Sequence, residues 1–304
     1  MELGMIGLGR MGANMAQRLH LGGIAVTGFD PGQEARERLA ATGVATAATL
    51  EALVQALPAP RTLWLMVPAG VVDPLLEQLL PLLSPGDLVV DGGNSWYRDS
   101  LRRAQRCRQA QVAFIDCGTS GGVWGLQEGY CLMLGGEEEA MARLRPALEA
   151  LAPAADRGWA HVGPTGAGHF CKMVHNGIEY GMMQAYAEGF ALMQKKQEFA
   201  LDLAQVAEVW RHGSVVRSWL LDLGADALRR NPQLEGIAPY VQDSGEGRWT
   251  VSEAIELDVP APVITLSLLE RLRSRESNSF ADRMLAQMRS GFGGHAVKAA
   301  NDGE

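Results

Sequence analysis

The sequence has too few basic residues for a protein that binds nucleic acid. Its 304 residues contain 27 lysines and arginines against 35 acidic residues, which gives a formal net charge of −8. A phosphate backbone is bound through a basic surface, and no stretch of this chain is rich in lysine and arginine. We therefore predict that nucleic acid is not a partner, although a small anion can still bind locally.

The chain is also poor in cysteine. Its four cysteines form no C-x-x-C pair and show no metal-ligand spacing; they are Cys107, Cys117, Cys131 and Cys171. This pattern argues against a disulfide framework and against a zinc site. We predict that the protein uses no metal, and a reducing cytoplasm is the compartment that suits its thiols.

Long unbroken apolar runs are missing. The region from Val67 to Val90 is strongly apolar, but prolines and the acids Asp73, Glu77 and Asp87 interrupt it. The first residues, MELGMIGLGRMG, carry an acid where a signal peptide has basic residues, and glycines break their apolar run. We therefore expect a cytoplasmic protein that has no membrane partner.

Glycine, in contrast, is abundant and is placed as a nucleotide-binding turn requires. In LGMIGLGRMGANMAQRLHLGG, an apolar run leads into Gly7, Gly9 and Gly12, and apolar residues at helical spacing follow. In the G-x-G-x-x-G pattern these glycines permit the turn, the approach of a pyrophosphate and the packing of helix on strand. An ordinary surface turn is the alternative. We predict that Gly7, Gly9, Arg10, Met11 and Gly12 bind a dinucleotide, with its phosphates at the helix N-terminus.

Further strands support this interpretation. IAVTGFD ends in Asp30, near the spacing expected for the carboxylate that binds the adenosine ribose. RTLWLMVPAG, DLVVDGGNSWY and VAFIDCGTSGG then continue the alternation of strands and helices. Because ligands bind outside the carboxyl ends of such strands, we predict one crevice lined by Val67, Pro68, Asn94 and the Ser120-Gly121-Gly122 loop. For Asn94, an ordinary turn role fits equally well.

The pattern becomes helical from Gly163 onwards. A long helix is predicted from Gly166 to about Lys196, and shorter helices over residues 202–213, 214–230, 251–256, 261–273 and 276–290. NPQLEGIAPY, DSGEGR and DVPAP are predicted to separate helices, and the tail FGGHAVKAANDGE is too polar to fold alone. The predicted fold is an α/β Rossmann-type dinucleotide-binding domain (residues 1–163) followed by an all-α C-terminal domain for substrate binding and oligomerisation (residues 164–304).

The segment KMVHNGIEY places Lys172, Asn176 and Glu179 within about 60° of one another around the long helix. A Lys–Glu ion pair is the structural alternative, but the two charges are roughly 10 Å apart along the axis, which is too far for direct contact. Buried charges are rare unless they are paired or functional, so this face predicts catalysis. The helix is expected to be buried on several sides because its other residues are apolar, namely Met173, Val174, Ile178, Met182 and Met183.

Six motifs together resemble the 6-phosphogluconate dehydrogenases, in their short form within the β-hydroxyacid dehydrogenase superfamily. They are GLGRMGANMA, DGGNS, GTSGG, GAGHFCKMVHNGIEYG, GRWTVSEA and FGGH, and they extend over nearly the whole chain. The resemblance implies NAD(P)-dependent oxidation of 6-phosphogluconate at C3, followed by decarboxylation to ribulose 5-phosphate.

The resemblance also implies roles for individual residues. Lys172 would take the hydroxyl proton, which requires that desolvation lower its pKa, and would then polarise the carbonyl so that CO2 leaves without a metal. Glu179 would protonate the carbon that lost CO2. Asn176, His175 and the Ser120-Gly121-Gly122 backbone would orient the substrate, although a hydrogen-bonding role in the core fits His175 nearly as well.

Recognition of the phosphate is where the sequence departs from the longer family members. Ser244-Gly245-Glu246-Gly247 stands where they carry Lys-Gly-Thr-Gly, and an acid is a poor phosphate ligand. The resemblance implies that Tyr180 and Arg271 bind the substrate together with Arg289 and His295 of a neighbouring subunit, in a homodimer or homotetramer with a shared active site. The alternative is that both arginines are solvated and the tail is disordered.

The cofactor is predicted to be NAD rather than NADP, because Asp30 would repel a 2′-phosphate where NADP-specific members carry Asn-Arg-Thr. Two other functions stay open at this point. A 3-hydroxyisobutyrate-type dehydrogenase would share the fold, Lys172 and Asn176 but would not need Glu179. A non-catalytic NAD-binding regulator would bind NADH without oxidising a hydroxy acid.

Overall fold

The computed structural model describes residues 1–293 and 296–298, which form eight strands and thirteen α-helices. The chain divides into two compact units, Met1–Gly177 and a second unit that begins at Ile178. The division falls inside one long helix. The boundary predicted between residues 163 and 164 rests on the change to helical spacing in the sequence, and it stays a prediction.

The first unit contains a single sheet with the strand order β3-β2-β1-β4-β5-β6-β7-β8. Strands β1 to β6 are parallel, β7 is antiparallel to β6, and β8 is parallel to β7. The strands are β1 (Glu2–Ile6), β2 (Ala25–Phe29), β3 (Ala45–Thr46), β4 (Thr62–Leu65), β5 (Leu88–Asp91), β6 (Ala113–Ser120), β7 (Cys131–Gly135) and β8 (Trp159–Gly163). Strands β2 and β3 are added on one side of β1, and β4 to β6 on the other. A Rossmann-type sheet binds its ligand at this change of side, between β1 and β4.

Helices connect these strands and cover both faces of the sheet. They are α1 (Arg10–Leu21), α2 (Gln33–Ala40), α3 (Leu50–Ala56), α4 (Ala69–Leu79), α5 (Tyr97–Gln109), α6 (Gly125–Glu128) and α7 (Glu138–Leu151). Successive strand residues point to opposite faces, so Trp64 enters one buried cluster while Leu63 and Leu65 enter the other. The predicted Rossmann-type α/β architecture is confirmed.

The second unit is helical, as predicted. Its helices are the second part of α8 (Ala167–Lys195), then α9 (Leu203–Arg211), α10 (Trp219–Arg230), α11 (Glu246–Glu256), α12 (Pro262–Arg273) and α13 (Phe280–Gly293). A small core holds α9 and α10 together through Ala207, Leu221, Ala225 and Leu228. Within the described residues, none of the helices has the length and apolarity to span a membrane.

Several local predictions were wrong. Strands β3 and β8 were not predicted: β3 has only two residues, and β8 shows no clear alternation of apolar and polar residues. DSGEGR was predicted to be a connection, but α11 begins at Glu246, after Gly245 with φ of 108° at its N-cap. Residues 214–217 precede α10, whose N-cap is Ser218: its side chain accepts a hydrogen bond from the Leu221 N–H.

The prediction that α8 is buried on several sides holds only for its first part. Met173 is 1 % exposed, whereas Ile178 is 53 % exposed and both Met182 and Met183 are more than one-third exposed. The apolar residues at these positions led us to predict burial, but in the single chain their side chains are partly exposed to solvent.

Candidate active site

The fingerprint loop after β1 has the geometry that a dinucleotide requires. Gly7 has φ of 93°, and a Cβ there would lie 2.6 Å from the Met66 carbonyl oxygen. A Cβ on Gly12 would overlap the Gly7 carbonyl oxygen, whereas a Cβ on Gly9 would have no neighbour within 4 Å. The N-cap of α1 is Gly9, and no side chain of the described residues caps this end. The first-turn N–H groups of Arg10, Met11 and Gly12 therefore face an open approach suited to a phosphate.

Asp30 lies directly after β2 and bonds to this loop. Its Oδ2 accepts the Leu8 N–H at 2.8 Å, and its Oδ1 accepts the Gly32 N–H at 2.8 Å. The carboxylate is half-buried, so it carries its charge at the side of the loop where an adenosine ribose would be read.

The other predicted crevice residues lie at the same edge of the sheet. Val67 and Pro68 follow β4, Asn94 follows β5, and Ser120 is the last residue of β6. Because these strands are parallel, their carboxyl ends meet at one edge. Pro68, Asn94 and Gly122 are exposed there, so the loops are open to a ligand; the roles of these residues stay predictions.

Lys172, Asn176, His175 and Ser120 form one hydrogen-bonded cluster in the first unit. Lys172 Nζ donates to Asn176 Oδ1 at 2.8 Å and lies 3.4 Å from His175 Nδ1. His175 Nδ1 is 3.1 Å from Asn176 Oδ1, and its Nε2 is 3.5 Å from Ser120 Oγ. Lys172 and Asn176 are each 9 % exposed. The amide oxygen thus holds a nearly buried amine against the end of β6, where a substrate hydroxyl could reach it.

The start of α8 is held by a residue that the sequence analysis did not single out. Asp116, a fully buried residue of β6, accepts the Gly166 N–H at 2.6 Å and the His169 N–H at 2.8 Å. Burial raises the pKa of Asp116, while the neighbouring His169 and the two N–H groups act in the opposite direction. His169 Nδ1 lies 2.7 Å from Ser100 Oγ on α5. The segment that carries Lys172 is therefore anchored to β6 and α5.

Three glycines let α8 approach the sheet closely. A Cβ on Gly118 of β6 would overlap the Lys172 side chain at its Cβ. A Cβ on Gly135 would lie 2.8 Å from Gly168 N, and one on Gly168 would lie 2.5 Å from the Asp116 carbonyl oxygen. GTSGG and GAGH were predicted as a loop and a helix start, but the packing role of these glycines was missed because it depends on two distant segments.

In the second unit, Tyr180 and Arg271 form a stacked pair. The Arg271 guanidinium carbon lies 3.4 Å from the centre of the Tyr180 ring, and Arg271 Nη1 donates to the Gln242 carbonyl at 2.8 Å. A Cβ on Gly247 would lie 2.6 Å from the same ring, so Tyr180 packs between α11 and α12. Its side chain is 5 % exposed, and its hydroxyl has no hydrogen-bond partner among the described residues. Arg271 is thus not a fully solvated charge.

The acid at position 246 points inward. Glu246 is 1 % exposed, and its Oε2 accepts the Ser244 hydroxyl at 2.7 Å. It is the first residue of α11, where the helix dipole favours a negative charge. Glu179 is half-buried on α8, Arg289 is exposed on α13, and His295 lies outside the described residues.

Comparisons with known proteins agree with these features. Residues 2–163 match the model for the NAD-binding domain of 6-phosphogluconate dehydrogenase, and residues 168–301 match the model for its C-terminal domain. A relative from Haloferax volcanii, named 6-phosphogluconate dehydrogenase, NAD(+)-dependent, decarboxylating, is 44 % identical over 99 % of this chain and 100 % of its own length. YqeC of Bacillus subtilis is 42 % identical over 98 % of this chain and 99 % of its own length.

A solved structure gives the same result. The 6-phosphogluconate dehydrogenase of Plasmodium falciparum, described without ligand, with NADP+ and with 6-phosphogluconate, has a TM-score of 0.83 and 28 % sequence identity. The match covers 100 % of this chain and 67 % of that longer chain. The chain belongs to the 6-phosphogluconate dehydrogenase family.

Proposed function

We propose that the protein oxidises 6-phosphogluconate with NAD and decarboxylates the product to ribulose 5-phosphate and CO2. The observation that carries this proposal is the cluster in which Lys172 is bonded to Asn176 at the carboxyl edge of the sheet. The relative from Haloferax volcanii, which matches this chain over its full length, is named for the same reaction with the same cofactor.

The cofactor fits the residues that the structure presents. The uncapped N-terminus of α1 would bind its phosphates, and Gly9 leaves room for their approach. When bound, NAD accepts the hydride from C3 of the substrate. Asp30 would bind the adenosine ribose, and Val67, Pro68 and Asn94 would line the crevice that receives the nicotinamide end of the cofactor and the substrate.

The first chemical step belongs to Lys172. As a neutral amine it takes the proton of the C3 hydroxyl, and Asn176 and His175 fix the position of its Nζ. The protonated amine then donates a hydrogen bond to the C3 carbonyl oxygen and stabilises the enolate that forms when the C1 carboxylate leaves as CO2. Ser120, Gly121 and Gly122 orient the substrate from the end of β6.

The last step requires a second proton donor. Glu179 is on the same helix, about two turns after Lys172, and the axial rise places it roughly 10 Å further along. That displacement suits protonation at C2, the carbon that lost CO2, which is a different carbon from the C3 that Lys172 serves. Glu179 therefore completes a metal-free oxidative decarboxylation.

Phosphate recognition is assigned to Arg271 and to the tail of a second subunit. Arg271 lies over Tyr180, whose buried hydroxyl lacks a partner within the described residues, so both groups can turn to a phosphate. Arg289 is exposed on α13, and His295 follows six residues later. Reaching a neighbouring active site with these two side chains requires a homodimer or homotetramer.

Exposed apolar residues in the second unit support that oligomer. Helices α8, α12 and α13 expose Ile178, Leu266, Leu269, Met284, Leu285 and Met288, each at 48 % or more. Exposed apolar side chains of this size are typical of a protein–protein interface when they form a continuous patch.

All four cysteines are free thiols, which supports a cytoplasmic location.

A spectrophotometric assay of NADH formation, coupled to measurement of CO2 release, tests the proposal. 6-Phosphogluconate should give both products, and gluconate and 3-hydroxyisobutyrate should give little of either. NADH without CO2 from 3-hydroxyisobutyrate would instead establish a non-decarboxylating dehydrogenase. Binding of NADH without turnover of any hydroxy acid would establish a regulator.

Two variants test the assigned roles. Lys172→Met should abolish oxidation, whereas Glu179→Gln should mainly slow the later protonation; both should bind NADH normally. Near-normal turnover by Lys172→Met would contradict the mechanism.

A further inference from the structure

Arg103 of α5 is a buried cation with an unusual set of partners. It is 1 % exposed, and arginine is almost never fully buried unless it is paired. Its Nη1 donates to Asp91 Oδ2 at 3.1 Å and to Ser95 Oγ at 2.8 Å. Its Nη2 donates to the Ala69 carbonyl at 2.9 Å and to Asp73 Oδ2 at 2.9 Å. One guanidinium therefore bonds to two different strand-end segments.

These two segments carry predicted ligand-binding residues. Ala69 directly follows Val67 and Pro68 after β4, and Asp91 and Ser95 enclose Asn94 in the DGGNS loop after β5. The DGGNS loop is bonded internally as well: Ser95 Oγ donates to Asp91 Oδ2 at 2.9 Å. Any shift of Arg103 would therefore change the position of both loops.

The two loops also touch each other. A Cβ on Gly93 would lie 2.7 Å from the Val67 carbonyl oxygen, so the backbones are in close contact. Hydrogen bonds act in addition to this steric contact. Of the bonds that the described residues make here, those of Arg103 join both loops through one rigid, planar group.

We propose that Arg103 is a positioning residue that holds the Val67-Pro68 loop and the Asn94 loop in the geometry required for cofactor and substrate. The inference rests on the proposed function, because it concerns the same crevice. Arg103 itself reaches the ligands only through these loops. Its loss should therefore weaken binding of cofactor and substrate together, since Asn94 is predicted to line the crevice that receives both.

The test compares Arg103→Lys with Arg102→Gln. Lysine keeps the buried charge but cannot donate to four acceptors at fixed angles. Arg102 is the matched control because it lies on the same helix and also pairs with Asp73, yet its side chain is 51 % exposed. Within the described part of the chain, its hydrogen bonds go to Asp73 and Asp99 and to neither loop. We expect Arg103→Lys to raise the Kd for NADH and the KM for 6-phosphogluconate about tenfold, the effect of a small misplacement of binding groups. Arg102→Gln should leave both constants within about twofold of the wild type.

Ser95→Ala provides a milder variant that is expected to fold. It removes one bond of the network and should shift both constants in the same direction as Arg103→Lys, but less. The double variant should be no worse than Arg103→Lys alone, because the two residues act in one network. Thermal unfolding measures any general loss of stability in parallel.

Two results would overturn the proposal. One is a folded Arg103→Lys protein with wild-type Kd for NADH and wild-type KM. The other is an equal rise for Arg102→Gln, which would show a general effect of changes in α5. Because titration with NADH needs no turnover, it decides the role of Arg103 even if the wild-type protein fails to oxidise 6-phosphogluconate, which would refute the proposed function alone.

Discussion

At the scale of single residues, Asp30 is predicted to determine the preference for NAD over NADP. Its carboxylate accepts the Leu8 N–H of the fingerprint loop and the Gly32 N–H that follows β2, so its charge is held where we expect the adenosine ribose to bind. A 2′-phosphate would be repelled there. We expect kcat/KM for NAD to exceed that for NADP by about tenfold or more.

A pair of variants separates charge from structure at this position. Asp30→Asn removes the charge but keeps an acceptor for the loop, so it should reduce the preference for NAD with little loss of stability. Asp30→Ala should also reduce the difference in kcat/KM between NAD and NADP. Because it leaves the Leu8 N–H without its acceptor, it should weaken the binding of both cofactors. A wild-type protein that clearly prefers NADP would refute the prediction.

Gly118 is a second residue whose substitution should be decisive. A Cβ there would overlap the Lys172 side chain, so Gly118→Ala must displace either Lys172 or β6. A displacement near 1 Å is expected to reduce kcat about 100-fold, and overpacking should lower the free energy of unfolding by about 1–3 kcal/mol. Steady-state kinetics and urea denaturation measure the two effects.

Gly189 offers the control for this experiment. It lies in the same helix, and a Cβ there would meet nothing within 4 Å. Gly189→Ala should therefore leave kcat unchanged and stabilise the helix by up to about 1 kcal/mol. Wild-type kcat in a folded Gly118→Ala protein would show that the close approach does not position Lys172.

At the scale of secondary-structure elements, the position of α8 depends on its buried cap. Asp116 accepts two N–H groups from the start of the helix, one at each oxygen. In Asp116→Asn, the amide NH2 would face one of these donors and a buried bond would be lost. We expect the free energy of unfolding to fall by about 1–3 kcal/mol and kcat to fall as well, because Lys172 lies in the second turn of the helix.

Thr49 provides a matched cap on another helix. Its side chain accepts the Ala52 N–H at the start of α3, at 3.1 Å. Thr49→Ala should cost about 1 kcal/mol of stability without changing kcat. If Asp116→Asn reduced stability while kcat and KM stayed at wild-type values, the cap would be structural only.

At the scale of the whole molecule, activity is expected to require an oligomer. Deletion of residues 289–304 removes Arg289 and His295, so the KM for 6-phosphogluconate should rise by about tenfold or more with little change in NAD affinity. A monomeric form of the protein should be inactive. An unaltered KM after the deletion would reject the shared active site.

Mixed oligomers give a more direct test of sharing. The Lys172→Met chain keeps its C-terminal tail but lacks the catalytic lysine. The chain without residues 289–304 keeps Lys172 but lacks the tail, so each chain alone should have little activity. If a tail serves the neighbouring subunit, co-expression of the two should restore activity in sites that combine Lys172 of one chain with the tail of the other. Size-exclusion chromatography checks that mixed oligomers form. If they form and show no activity, the active site is not shared between subunits.

The sequence alone was sufficient for features that depend on spacing within one segment. The glycine fingerprint predicted the turn between β1 and α1, and helical spacing predicted the extent of α8 and the common face of Lys172 and Asn176, which the structure joins by a hydrogen bond. Such features are local because backbone conformation and the geometry of residues i and i+4 determine them. Predictions of the Rossmann-type sheet followed from the same local alternation of strands and helices.

Only the tertiary structure decided which distant residues meet. Asp116 accepts the N–H of Gly166, 50 residues later and just before α8, and Arg103 joins the ends of β4 and β5. The antiparallel direction of β7 and the inward turn of Glu246 were likewise not predicted. No local pattern encodes these contacts, because the order and register of strands bring together side chains that are unrelated in sequence. The exposure of Ile178 shows the same limit: its apolar character is set by the sequence, but what covers it depends on packing.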